Sequence, residues 1–207
     1  MQNQEPEATE EMTMNRIRRI REFAARYSPD TPHDEQVRTN ALQLFDALQS
    51  LHHLSDDDRF ILEAATLLHD IGWSRGISAH HKSGSRMIRE DTTLPLTERE
   101  RDLVAQLIRY HRKALPAPAH GRFAALDEHD KARLRMLAAI LRVADGLDRT
   151  HQSLVETITA TFTPDMVTIR CLARGEGYAE REYAKKKSDL FEDIFSRKLH
   201  TEWERFS

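Results

Sequence analysis

The sequence predicts an all-α domain, a helical bundle that closes with a small C-terminal β hairpin packed by a last helix. Apolar residues recur at three- and four-residue spacing along most of the 207 residues. Only 7 glycines and 7 prolines interrupt them, too few for a turn-rich β sandwich. Near Val155 the period changes once, to the β-branched pattern of strands. The length suits one well-filled domain. Residues 1–13 read as a disordered leader and 14–207 as the domain, with a core over about 33–150 and the hairpin plus helix over about 153–204.

The leader is polar, acidic and aperiodic. From Met14 to Tyr27 an amphipathic helix follows, with Ile17, Ile20, Phe23 and Ala24 on one face. Turn chemistry at Ser28-Pro29-Asp30-Thr31-Pro32 ends it. The next helix, His33 to Leu51, carries Val37, Ala41, Leu44, Phe45 and Leu48, and counting back four from Val37 puts His33 on the same stripe. Ser55 and three aspartates start a nearly all-apolar helix from Arg59 to Ile71, with Gly72 as its expected cap. A loop over 73–80 leads to a short helix from Lys82 to Arg89. Thr97-Glu98-Arg99-Glu100 is a capping box for a helix reaching His111, which falls four after Leu107. Residues 113–126 read as a surface loop. A long helix, Asp130 to Thr150, continues the stripe of Leu134, Leu137 and Leu141 into Asp145 and Asp148. Val155–Phe162 and Met166–Leu172 form the hairpin, and Tyr178 to Trp203 the last helix, with Lys185-Lys186-Lys187 on its solvated face.

Composition narrows the function classes. The single Cys171 excludes an internal disulfide framework and fits a reducing compartment. There is no apolar run of membrane-spanning length and no export signal, so the expected location is the cytoplasm. A net charge of −3 gives no global reason to expect nucleic acid as the partner. The 11 histidines are the unusual feature, because several fall on buried stripes.

His33, the pair His69-Asp70, His111 and Asp145 each stand in line with an apolar stripe, and His81 stands at another helix start. A lone buried imidazole or carboxylate is most simply a hydrogen-bonded core residue. Repeated coincidences of one chemical kind are harder to satisfy that way. Mixed imidazole and carboxylate donors suit a divalent metal, one or two ions among Mn, Fe, Co, Ni, Zn or Mg. Such an ion polarises a phosphoryl oxygen and acidifies a water. Adjacent His69 and Asp70 diverge by about 100° on a helix, so both reach a metal only near a helix end or around a two-metal site. Arg112, Lys113, Arg142 and Arg149 flank these residues as candidate phosphate-binding groups.

The motifs have a familiar order. His33 with Val37 and Ala41, then LLHDIGW, then VADGLD resemble the HD-domain superfamily of metal-dependent phosphohydrolases. The resemblance implies His33, His69, Asp70 and Asp145 as the basic ligand set, with Asp70 bridging. His81 in HHKSG and His111 in RYHRK resemble the six-ligand, binuclear subset, whose familiar members are cyclic-dinucleotide phosphodiesterases with an HD-GYP motif. These two would complete a second site, with His80 as the weaker substitute for His81. From about Arg21 to Leu199 the chain is similar to the C-terminal helical domain of the exopolyphosphatase/guanosine pentaphosphate phosphohydrolase (Ppx/GppA) family. The resembling runs are AARY, HDEQVRTNALQLFDAL, LEAATLLHDIG, HHKSGSRMI, LIRYHRK, LAAILRVADGLDRTH and KSDLFEDIFSRKL. In that family polyphosphate hydrolysis is assigned to an actin-like domain ahead of this one, for which 207 residues leave no room.

The expected function is therefore a metal-dependent phosphohydrolase acting on a phosphorylated small molecule or a polyphosphate-like substrate, with Asp70 and His69 at its catalytic centre. The alternative is a non-catalytic HD-type module that binds a phosphorylated ligand or serves a partner enzyme. A homodimer is compatible with either.

Overall fold

The long helices arise where capping chemistry meets an apolar stripe. In the computed structural model, which describes residues 4–206 with side chains from residue 10, helix α1 spans Gln4–Ala24. It thus begins inside the stretch expected as a disordered leader. Residues 4–13 are helical, Pro6 falling within the first turn where no amide donor is missed, while residues 1–3 of that leader lie outside the described residues. Helix α2, Thr31–Ala47, is capped by Asp30, whose carboxylate accepts from the His33 amide at 3.1 Å. A short α3, Gln49–His52, follows. Capping boxes open α4, Asp56–Leu68 (Ser55 with Asp58), and α6, Glu98–Tyr110 (Thr97 with Glu100). Asp127 caps α8, Glu128–Gly146. The segment expected as a surface loop also holds a one-turn helix α7, Gly121–Ala124, that buries Phe123.

Helix α4 is the hub, packing against α1, α2, α6 and α8. Its residues from Phe60 to Leu68 are all buried, and all but Glu63 and Thr66 are apolar. The helix ends at Leu68, short of the expected Ile71, and a 3-10 turn over Ile71–Arg75 follows. His69 and Asp70 therefore occupy the joint between the two. Gly72 is not the helix cap. A Cβ there would lie 2.0 Å from the His80 carbonyl oxygen, so glycine is what lets the turn lie against α5, His80–Glu90.

The C-terminal region departs most from expectation. Strands β1, Val155–Phe162, and β2, Met166–Ala173, pair antiparallel. In place of one last helix come α9, Tyr178–Lys186, α10, Asp189–Phe195, and a third strand β3, Lys198–Arg205, parallel to β2. Leu199 lies four after Phe195 and so fits a helical count, but Leu199, Thr201 and Trp203 also alternate with polar neighbours. Ser196 in the left-handed region (φ 50°) turns the chain, and β2 supplies the pairing partner. Helix α2 seals the outer edge of β1: Gln36 donates to Val155 O (2.7 Å) and Gln43 to Glu156 O (3.0 Å). No helix among the described residues is long and apolar enough to cross a membrane.

Candidate metal centre

Helix ends converge on one point. His33 stands in the first turn of α2, His80 in the first turn of α5 and Asp145 in the last turn of α8. His69 and His111 are the C-caps of α4 and α6. These two histidines share one device. Each directs Nδ1 at the carbonyl three residues back, His69 to Thr66 O at 2.7 Å and His111 to Ile108 O at 2.8 Å. A carbonyl can only accept, so each Nδ1 carries a proton, and in the neutral ring each Nε2 offers a lone pair. His33 is oriented in the same sense by a carboxylate, its Nδ1 lying 2.8 Å from Asp148 Oδ2. Asp148 is itself fixed by the Ser153 amide at 2.8 Å.

The presented atoms fall into two groups that share Asp70. His33, His69 and Asp70 can bring one ligand atom each within 4.8 Å of one another, and so can Asp70, His80 and His111. Asp70 Oδ2 lies 3.7 Å from His69 Nε2, while Oδ1 lies 3.2 Å from His80 Nε2 and 3.7 Å from His111 Nε2. Asp145 Oδ1 is 3.7 Å from His33 Nε2. A third group, Asp127, His129 and Asp130, lies at the start of α8, where Asp130 is already paired with Arg99 and Arg133.

The donor chemistry fits a divalent cation. His69 Nε2 is buried and has no hydrogen-bond partner, although Asp70 Oδ2 lies 3.7 Å from it. Held Nδ1 protons and free Nε2 atoms are the usual state of metal-binding imidazoles. The electrostatics agree. Burial alone would raise the Asp70 carboxyl, but His69, His80 and His111 outweigh it and hold the group well below the usual carboxylate range. Burial likewise opposes ionisation of Asp145, and Lys187 with the three facing imidazoles overcomes it. Burial, reinforced by His69, pushes His111 down to about 3, leaving it neutral. His69 differs: burial lowers it, yet Asp70, Asp34 and Asp145 together raise it. Behind it, Asp34 Oδ1 lies 3.6 Å from His69 Nδ1, and neither Asp34 oxygen has a hydrogen-bond partner. Burial pushes that carboxyl up to about 7.

Of the residues expected from sequence, His33, His69, Asp70, His111 and Asp145 come together. His81 belongs to neither group: His80 holds the place expected for it. Helix α5 starts at His80 instead of Lys82, and neighbouring side chains on a helix diverge by about 100°, so only one of the pair can face Asp70. His81 is turned into the protein, where burial and then Arg109 depress it to about 4.

A cavity of about 800 Å³ opens above His33, Asp70, His111 and Asp145. Arg112, Lys113, Arg142 and Arg149 all line it. Arg112 Nη1 is 3.1 Å from His80 Nε2, Arg142 is paired with Asp189 at 3.0 Å, and Arg149 lies over the Tyr183 ring at 4.5 Å. Trp73 stacks on His80 with ring centroids 4.4 Å apart and forms part of the wall. Sequence reasoning missed Asp30, His151, Tyr183, Lys186 and Lys187, which also line the cavity. His151, in the left-handed region (φ 57°), stacks on His33 at 3.8 Å and bonds Asp30 at 2.8 Å. Helical spacing in the sequence places the lysines on a solvated face. Their approach depends on Gly146, against which the Ala184 backbone packs, and that long-range contact leaves no local signal.

A family model described as Ppx/GppA phosphatase, domain III, matches residues 15–183. No curated protein matches the chain.

Proposed function

The chain belongs to the Ppx/GppA phosphatase domain III family, and from that premise we propose that it is an HD-type, divalent-metal-dependent phosphohydrolase acting on a phosphate ester or anhydride. The substrate is a nucleotide or a polyphosphate-like molecule. One observation carries the reading: two donor groups meet at the shared carboxylate of Asp70, and in the first of them His69 Nε2 is buried and unpartnered.

His33, His69, Asp70 and Asp145 would hold one ion, and Asp70, His80 and His111 a second, with Asp70 common to both. A bound cation supplies Lewis-acid polarisation of a phosphoryl oxygen and a water acidic enough to attack phosphorus near neutral pH. The residues of the chain do the rest. Asp148, Thr66 O and Ile108 O keep the imidazole lone pairs directed inward. Arg112, Lys113 and Arg149 on the cavity wall orient the anionic substrate by charge-assisted hydrogen bonds. Arg142, held by Asp189, adds a fixed positive charge at the same wall. Trp73 and Tyr183 contribute aromatic faces to the same wall.

The second reading is a binding module without turnover, favoured by the match being to one numbered domain of a phosphatase family. Manganese titration of chelator-treated protein, followed by phosphate release from nucleotides and polyphosphate, separates the readings. The wild type is expected to take up ions at Asp70, His80→Ala to lose the second, and His81→Ala to keep the wild-type stoichiometry. Asp70→Ala should abolish both uptake and phosphate release while remaining folded. A folded wild type that no divalent cation binds or stabilises would sink the metal reading. Metal uptake with no phosphate release from any of these substrates would favour the binding module.

A further inference from the structure

The three consecutive lysines that close α9 have three different partners. Lys185 pairs with Glu192, Lys186 lies over the Tyr183 ring at 5.2 Å, and Lys187 turns inward to bond Asp145 Oδ2. Asp145 is the carboxylate whose other oxygen faces His33 Nε2 at 3.7 Å. The Lys187 ammonium thus sits on a donor atom of the centre, and its side chain is one-fifth exposed, at the edge of the cavity. The seat is built: Gly146 admits the α9 backbone, since a Cβ there would stand 2.8 Å from the Ala184 amide nitrogen, and the Lys187 amide closes the helix on Tyr183 O at 2.9 Å.

We propose that Lys187 is a tethered counter-ion for Asp145, exchanged for a divalent cation when the centre loads, and thereby released into the cavity as a substrate-binding group. This rests on the metal reading above. An ammonium and a divalent ion on the two oxygens of one largely buried carboxylate repel each other strongly. A lysine is suited to the exchange, because its charge rides on a flexible stem and needs no fixed fork geometry. Once displaced, the ammonium joins Arg112, Lys113 and Arg149 on the cavity wall. Ion binding therefore raises the positive charge offered to an anion, and linkage requires the anion to favour the loaded centre in return.

The test uses the full chain, stripped with a chelator, with manganese and inorganic phosphate as probes. Lys187→Met keeps the length of the side chain and removes its charge. In calorimetry it should bind manganese about tenfold or more tightly than the wild type, the competing cation being gone. Its manganese-loaded form should bind phosphate several-fold more weakly than loaded wild type. In the wild type, reductive methylation read by mass spectrometry should modify Lys187 slowly without manganese and quickly with it, a measurement that does not depend on the variant folding. Equal or weaker manganese affinity in Lys187→Met, or equal labelling of Lys187 in both states, overturns the exchange while leaving the metal centre intact. A wild type that takes up no manganese overturns both.

Discussion

Asp34 is the residue with the most exposed thermodynamic consequence. Burial pushes its carboxyl from an ordinary 3.8 up to about 7, against the pull of His69. Between those values the folded chain keeps a proton that the unfolded chain has released, so stability falls as pH rises from about 4 to 7. His69 acts in the same sense. Its folded value is raised above 6.5 despite burial, so its contribution is present below 6.5 and lost as pH climbs through the folded value. Asp70 and Asp145 act oppositely, since their depressed values contribute stability above the unfolded carboxylate range that is lost only in acid. His81 and His111, depressed to about 4 and about 3, oppose this fall up to about pH 6.5, because the unfolded chain takes up protons that the folded chain refuses, so the Asp34 contribution is read as a difference between variant and wild type. The wild type should lose thermal stability relative to Asp34→Asn as pH rises from 4 to 7, read as thermal midpoints in chelator. An unchanged profile would mean that the carboxyl is ionised throughout the range. At this scale much of the centre was legible, because His33, His69, His111 and Asp145 extend apolar stripes at helical spacing. His80 was not, since choosing between adjacent histidines needs a helix start known to the residue.

Elements carry the site by their ends, and two glycines set how closely those ends approach. Gly146 is the clearer case. An added Cβ would meet Ala184 N at 2.8 Å and Tyr183 C at 2.9 Å, both backbone atoms that cannot rotate away. Gly146→Ala must push α9 from α8, at a cost of about 1–3 kcal/mol typical of overpacking. It should also draw Lys186, Lys187 and Tyr183 back from the cavity. Urea unfolding would report the first effect and phosphate affinity the second; a variant with wild-type values for both would show that the helices have slack. The last strand illustrates what local pattern cannot decide. Leu199 and Trp203 suit a helix or a strand, and the choice falls to β2, whose free edge offers eight residues of parallel pairing. Strands β1 and β2 needed no such arbitration, because their β-branched runs flank the turn residues Thr163-Pro164-Asp165.

Over the whole molecule, the buried α4 acts as the post from which the other parts hang. The helical character and the order of the motifs could be read from the chain because they depend on spacing within each segment. The cationic wall could not, because it depends on α8 and α9 meeting across the hairpin between them. Distance along the chain has a further consequence, in time. His33 is steadied by Asp148, 115 residues away, and Gln36 reaches Val155 across 119. Such contacts form only after long loops have closed, a step that slows folding. The ion pocket should accordingly be a late product of folding. In stopped-flow refolding with manganese present, ion capture should track the slowest folding phase; capture within the dead time would contradict this. During synthesis, α8 must emerge before His33 gains its support, and α9 before Asp145 meets Lys187. A nascent chain would then gain the ability to trap a metal ion only after the segment through Asp148 has been made.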